Sequence, residues 1–392
     1  MVRNTVFGQV LQLISRHGFK KCVDRYTGDK YTKRFSCWQQ LIVLLYSQAR
    51  GLKSLRDITI SLRSQHRKWY HLGLESVARS TLSDANNSRR ADIYRDVFKD
   101  FLCKCQSLAP EHRFKFKNPL YTMDSTLIKL CLTVFPWASY RKRKGAMKLH
   151  TLLDHKGCLP SFLTVTDGRT HDIRVVKDSS YGFPQLLPDS IITVDRAYID
   201  YNWLYSLTLS RVFFVIKAKR NLKCEVLGQQ EVPQNKGVTK DEIIRLTGYY
   251  QKQYYPKDLR LITFYDKEKD EELYFLTNNF KLAAATIADL YKHRWQIETF
   301  FKWIKQNLKI KTFLGTSPNA VMTQVWAAMI YYLLLAFIKF QTKYSYSMHE
   351  LTRVIGEILM ENLSLLEALK LKFDKLKLLK RENYQLALLL KI

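Results

Sequence analysis

Apolar positions recur along the chain with two different periods. Up to about residue 110 the spacing is helical. The segment WQQLIVLLYSQ, residues 38–48, is densely apolar and predicts a buried helix. Ser54 stands where an N-cap belongs, ahead of Leu55, Ile58 and Leu62 at helical intervals. After a short HLGL segment, Ser76 or Ser80 opens ARSTLSDANNSRR, which is expected to continue into ADIYRDVFKDFL. Two helices, a turn and a third helix carrying Arg79, Ser80, Thr81, Asn86 and Asn87 suggest a helix-turn-helix variant. An ordinary helical bundle with a solvated polar face is the plainer reading of the same residues.

The period changes after Pro110. Residues 119–133, 146–154 and 159–166 read as strands, the last two separated by a turn at Lys156 and Gly157. A helix is expected from His171. SIITVD, residues 190–195, is a short apolar strand ending in a carboxylate. Tyr201 to Ser210 is helical, and VFFVIKAK, 212–219, is another buried strand. A three-strand meander followed by alternating strands and helices is the order of a ribonuclease-H-like mixed α/β sheet. Residues 220–278 interrupt it with a β-rich insertion, in which LRLITFYDKE and DEELYFLTNNF form a hairpin. Helix returns near Leu282 and runs to about Asn307, and an apolar helix spans 320–340. The organisation expected is a helical N-terminal domain (1–112), a catalytic α/β domain (113–342) and an amphipathic helical tail (343–392). The tail carries Leu351, Val354, Ile358, Leu365, Leu369 and Leu376.

Charge narrows the function. Among 392 residues, 64 Lys and Arg face 35 Asp and Glu, a formal net of +29. Such an excess repels itself and calls for a polyanionic partner, with nucleic acid the default. That raises the third N-terminal helix to a candidate DNA contact, Arg79 included. A membrane is not expected as partner: the longest apolar run, Val325 to Ile338, is fourteen residues, and no signal peptide is apparent. Seven scattered cysteines point to reduced thiols in a cytoplasm, and the close pair Cys103 and Cys105 reads as packing.

The most informative segment is ADLYKHRWQIETFFKWIKQNLKIK. At about 100° per residue, Arg294, Trp295, Glu298, Lys302 and Lys305 all fall within about 60° of Tyr291. Leu290, Ile297, Phe301, Ile304 and Leu308 gather on the other side. One face packs; the other carries an acid among cations and aromatics. A surface helix with a Glu298–Lys302 ion pair would look similar. A phosphate-handling site needs the same set: an acid for a metal, cations for the DNA backbone, an aromatic such as Trp295 to stack on a base.

Tyr291, Arg294, Glu298 and Lys305 also spell Y-x2-R-x3-E-x6-K, which resembles the signature of the DDE transposases of the insertion-sequence-four family. YTMDSTLI resembles that family's first catalytic strand, with Asp124 the first aspartate. SIITVDRAYID resembles its second motif, with Asp195 the second aspartate and Arg196 the basic neighbour. The stretch from DKYTKRFSCWQQLIVLLYSQ to YHLGLESVARSTLSDANNSRR resembles the helical domain of one branch of the family. The likeness covers residues 1 to about 340. It implies cut-and-paste DNA transposition by a dimer that pairs two DNA ends in a bacterial cytoplasm. It also implies that Tyr291, Arg294 and Lys305 grip the transposon end. Family members often pass through a hairpin intermediate with a flipped base stacked on aromatics. The insertion here has no tryptophan and offers Tyr249, Tyr250, Tyr254 and Tyr255 instead.

The chemistry expected of Asp124, Asp195 and Glu298 is that of a carboxylate trio holding two divalent ions, Mg²⁺ with Mn²⁺ able to substitute. Double-stranded DNA, as transposon end and as target, is the partner. No acid occurs between Asp124 and Asp154, and Arg141, Lys142, Arg143 and Lys144 are expected in a loop lying along DNA. His150 and His171 fall near the expected site, and packing or capping is the commoner role for each. Two alternatives remain: a transposase-derived protein that binds without cutting, and a nuclease that cuts without joining.

Overall fold

The computed structural model describes residues 4–131, 133–141, 144–232, 237–307 and 313–369. The chain opens with seven helices: α1 (Val6–Gln12), α2 (Arg16–Arg25), α3 (Cys37–Ala49), α4 (Leu55–Ser64), α5 (Trp69–Leu72), α6 (Arg79–Ser88) and α7 (Asp92–Leu108). Hydroxyl caps start several of them. Thr5, Ser15 and Ser54 each accept a backbone N–H of the following first turn, and Ser36 with Gln39 closes a reciprocal capping box. Every residue of α3 is buried, as its apolar density requires.

The expected run from α6 into α7 is broken at residues 89–91. Arg89 is extended, and its guanidinium donates to Gln40 Oε1 at 3.0 Å and to the Phe35 carbonyl. The Asn319 amide caps the break, donating to the Arg89 carbonyl at 2.6 Å and accepting the Ala91 N–H at 3.0 Å. Asn86 faces inward, accepting from Gln40 Nε2 at 2.8 Å, so it is a core polar group and not a base reader.

Strands follow: β1 (Leu120–Leu130), β2 (Ser139–Arg141), β3 (Lys144–Asp154) and β4 (Leu159–Asp167), then α8 (Asp172–Lys177), β5 (Ile191–Val194), α9 (Tyr201–Leu209) and β6 (Phe213–Lys217). Next come β7 (Cys224–Gln229), β8 (Val238–Leu246), α10 (Tyr249–Tyr254), β9 (Leu259–Asp266) and β10 (Glu271–Thr277). The chain continues with α11 (Ala284–His293), α12 (Trp295–Asn307), α13 (Pro318–Thr342), α14 (Met348–Ile358) and α15 (Leu365–Ala368).

Two compact units divide the chain. The first comprises residues 1–110, 133–137 and 302–392. Its centre is α13, whose Trp326 and Phe337 rings lie 5.3 and 5.5 Å from Phe98 and Phe101 of α7. This helix is long and apolar enough to cross a membrane, but 94% of its apolar window is buried, which makes it a core helix. Leu351, Ile355 and Leu359 of the tail are buried in the same unit, and Val6 and Phe7 donate backbone hydrogen bonds to Glu361 and Leu359. Leu376 lies outside the described residues.

The second unit, residues 111–132 and 138–301, is built on one mixed sheet in the order β2-β3-β1-β5-β6-β10-β9-β8-β7, with β4 on β3. β1 runs antiparallel to β3 and parallel to β5, and β5 parallel to β6. The β-rich stretch after β6 does not stand apart, because β10 pairs antiparallel with β6 and prolongs the sheet. One sheet face (Met123, Leu152, Val194, Phe214) packs against Val175 of α8 and Trp203 and Leu204 of α9. The other (Leu120, Ile191, Val215, Phe275) packs against Ala284, Ile287 and Leu290 of α11. Alternation along each strand therefore decides which helix a side chain meets.

Candidate active site

Two acids are placed by β-pairing. Met123 pairs with Val194 at the end of the parallel β1–β5 ladder, so Asp124 and Asp195 are the next residues on adjacent strands. By alternation both fall on the α11 face, one step beyond Thr122 and Thr193, whose hydroxyls bond each other at 2.6 Å. Asp124 Oδ1 accepts the Ser125 N–H at 2.7 Å. Burial pushes the Asp124 carboxyl up to about 6, against the pull of Arg294 and the Ser125 N–H. Asp195 starts a 3-10 turn, Arg196–Tyr198, and accepts the Ala197 N–H at 2.7 Å.

Helices α11 and α12 bring the third acid. The apolar pattern predicts one helix here; the structure has two, joined at Arg294. At the joint the Arg294 N–H donates to the Tyr291 carbonyl and the Ile297 N–H to the Arg294 carbonyl, both three residues back, a locally tightened turn. Arg294 reaches back to the strands. Its Nη1 donates to Asp124 Oδ2 at 2.6 Å and its Nη2 to Glu298 Oε1 at 2.8 Å. Burial alone would lower the guanidinium pKa, but Asp124, Tyr291 and Glu298 outweigh it and the net shift is upward. The Glu298 side chain is 59% exposed, while Asp124 and Arg294 are each 17% exposed. Trp295 is 60% exposed, open for stacking. Lys302 and Lys305 are exposed further along α12, and Ile297, Phe301 and Ile304 are buried. Tyr291 departs from the cationic face expected for it: it is partly buried, with its ring 4.8 Å from Phe275.

Sequence reasoning missed the residues behind these acids. His155 Nε2 lies 2.7 Å from Thr122 Oγ1; burial, then His293, pushes its imidazole down to about 4, so it is neutral. On the α8 face, Asp172 accepts Ser125 Oγ at 2.6 Å, beside Lys148 and His150. His150 is buried and bonded to Thr166 Oγ1 at 2.9 Å, a packing role, and His171 occupies the N-cap position of α8 without a side-chain cap bond. A Thr-His-Asp run opening a helix directly after β4 was the available signal for Asp172; its meaning depends on the β1–β3 register.

The other expected contacts scatter. Arg196 is exposed beside Asp195, and Arg79 is exposed at the start of α6. Arg141 pairs with Lys144 between β2 and β3, so these two belong to strands and not to a loop, and Lys142 and Arg143 lie outside the described residues. Of the four insertion tyrosines, Tyr255 is buried and bonded to Thr208 at 2.8 Å; Tyr249, Tyr250 and Tyr254 are exposed.

A family model described as "Transposase DDE domain" matches residues 115–334, more than half of the chain and all three acids. The chain belongs to the DDE transposases. A second model, a domain of unknown function, matches residues 2–75 of this transposase. The y4zB protein of Sinorhizobium fredii, named as a transposase, is 33% identical over 66% of this chain and 71% of its own length. A Geobacillus stearothermophilus protein named for insertion sequence element IS5377 is 29% identical over 69% and 70%. A Synechocystis protein named for insertion sequence element IS4SA is 21% identical over 78% and 84%. A solved piggyBac transposase synaptic complex with hairpin DNA aligns at a TM-score of 0.46 and 13% identity, covering 94% of this chain and 82% of that one. The protein is thus an insertion-sequence transposase, an enzyme that cleaves nucleic acid.

DDE transposases work with divalent metal ions. Among the described residues no three His, Cys, Asp or Glu are already grouped as a metal cage. The donor chemistry nevertheless fits a hard cation. Two carboxylates are adjacent where the β1–β5 ladder ends, and the third acid is joined to the first by a guanidinium, a positive charge lying between carboxylate oxygens.

Proposed function

We propose that this transposase cuts and rejoins DNA at Asp124, Asp195 and Glu298, on a ribonuclease-H-like sheet, and that it belongs to the Y-R-E-K subgroup of the insertion-sequence-four family. The observation that carries this reading is the adjacency of Asp124 and Asp195 on paired parallel strands, with Glu298 tied to Asp124 through Arg294. The strand order β4-β3-β1-β5-β6, antiparallel then parallel, supports the ribonuclease-H-like assignment. Tyr291, Arg294, Glu298 and Lys305 at the family's spacing support the subgroup.

Asp124, Asp195 and Glu298 would hold the divalent ions, Mg²⁺ or Mn²⁺, as a pair. Bound there, such ions lower the pKa of an attacking water or 3′-hydroxyl and neutralise the leaving oxygen. The residues around them do the rest. The Ser125 N–H and the Ala197 N–H orient the two aspartates. Arg294, with its planar fork of donors, grips phosphate oxygens of the strand being cut, and Lys302, Lys305 and Arg196 add charge along the backbone. Trp295 stacks on a base next to the break. Arg79 and the N-terminal helices (1–112) read the terminal repeat, Arg141 to Lys144 follow the duplex, residues 113–342 carry the chemistry, and the tail (343–392) joins two copies that pair the DNA ends.

The test uses labelled inverted-repeat DNA with Mg²⁺. Glu298→Gln should abolish nicking while keeping repeat binding within about twofold, since only transition-state stabilisation is removed. Cleavage by that variant at the wild-type rate refutes the assignment of Glu298. Nicks without joined products from the wild type would show a nuclease in place of a transposing enzyme.

A further inference from the structure

Asp124 is held at both of its oxygens. Arg294 takes Oδ2, and the N–H of its own neighbour Ser125 takes Oδ1. The second bond is unusual in its setting. The His155 N–H donates to the Leu120 carbonyl, so Leu120 turns its backbone groups toward β3. Along an extended strand these directions alternate, which points the N–H groups of Tyr121, Met123 and Ser125 toward β5. The β1–β5 ladder ends at Met123 and Val194. The Ser125 N–H therefore faces the side on which its neighbouring strand has stopped, and no ladder bond fixes it. The Asp124 carboxylate takes the place of that missing acceptor.

What steadies this half-supported peptide lies on the opposite sheet face. Ser125 Oγ donates to Asp172 Oδ1 at 2.6 Å. Asp172 is in turn seated by Lys148 Nζ at 3.3 Å and faces His150 Nδ1 at 3.5 Å. Lys148 also donates to the Thr170 carbonyl at 2.8 Å, fixing the chain two residues before Asp172. The Tyr198 hydroxyl, in the core on this face, is fully buried and without a hydrogen-bond partner among the described residues. Burial first, then the fields of Asp172, Asp124 and Asp195, push that phenol well above its ordinary value, so it stays a neutral donor.

We propose that Asp172 is a positioning residue of the cutting site, which through Ser125 fixes the peptide that orients the Asp124 carboxylate for its divalent ion. The inference rests on the reading of Asp124 as a metal-holding acid. Groups that orient a ligand typically change metal affinity about 10- to 100-fold when removed, while leaving the ligand itself in place. The rival role for Asp172 is as a mere counter-charge to Lys148, which would affect folding stability alone.

The experiment measures Mn²⁺ binding to the full-length protein by electron paramagnetic resonance, with thermal unfolding alongside. Asp172→Ala and Ser125→Ala should each weaken Mn²⁺ binding about tenfold, and the double variant no further than either alone, because both act through one bond. Ser125→Thr keeps the hydroxyl and should restore wild-type affinity. Lys148→Met, which removes one seat of Asp172 but leaves its bond to Ser125, should lower the Tm and weaken Mn²⁺ binding less than Asp172→Ala does. Should Asp172→Ala fail to fold, Ser125→Ala carries the test. Wild-type Mn²⁺ affinity in Ser125→Ala, or losses that add in the double variant, overturns the positioning role. Asp124→Asn separates the two readings. If it binds Mn²⁺ like the wild type, the assignment of Asp124 falls and this proposal with it. If it loses Mn²⁺ while Asp172→Ala and Ser125→Ala do not, the positioning role alone is overturned.

Discussion

A buried acid competes for protons as well as for metal. Asp124 titrates at about 6 because burial disfavours its charge. On the proposed assignment of Asp124 to the metal site, a proton and a divalent ion contend for the same oxygens, so Mn²⁺ affinity should fall about tenfold between pH 7 and pH 5. Titrations by electron paramagnetic resonance at the two pH values check this, and a flat response would remove Asp124 from the metal site. Asp154 gives a matching test of stability. Burial pushes it to about 6 as well, against the N–H of Lys156 that donates to it at 2.8 Å. With the folded value above the unfolded one, the native state holds the extra proton between about pH 4 and pH 6. Stability therefore drops as pH rises through that window, and the loss is complete above it. Asp154→Asn should be more stable than the wild type at pH 7.5, by up to about 3 kcal/mol in urea unfolding, and match it near pH 4. At this scale the sequence picks out three candidate acids, because their spacing survives as a pattern. It hides which neighbours they have. Arg294 looks like one more cation on a helix face, and its bridge between Asp124 and Glu298 exists only once strand and helix are brought together.

Elements were legible where the cause is local. The all-buried α3, the Ser54 cap and the β9–β10 hairpin follow from short-range pattern. Where the cause is distant, the pattern misleads. The break between α6 and α7 is capped by Asn319, on a helix far along the chain. The β-rich stretch looks like an inserted module because nothing in its own residues says that β10 will pair with β6. That extension is anchored by a buried pair. Arg260 of β9 forks onto Asp241 of β8 with bonds of 2.8 and 2.6 Å, and also donates to the carbonyls of Asn279 and Leu282 at the approach to α11. Asp241→Ala strands a buried guanidinium and should cost about 3–5 kcal/mol in urea unfolding. A cost under about 1 kcal/mol would mean that water reaches Arg260 freely.

For the whole molecule, charge governs how tightly DNA is held. A net of +29 implies many phosphate contacts and release of the ions condensed on DNA. Repeat binding should weaken about 10³-fold or more between 50 and 200 mM salt, read as a log–log slope in a filter or anisotropy assay. A slope near zero would contradict phosphate-dominated binding. The order of parts along the chain has its own consequence. Asp124 and Asp195 lie on strands made early, and β7 to β10 all intervene before α12. A ribosome must complete the entire sheet before it adds Glu298. On the proposed chemistry, a half-made or prematurely terminated polypeptide has no means of breaking DNA, so the danger of the enzyme arrives only with its finished scaffold.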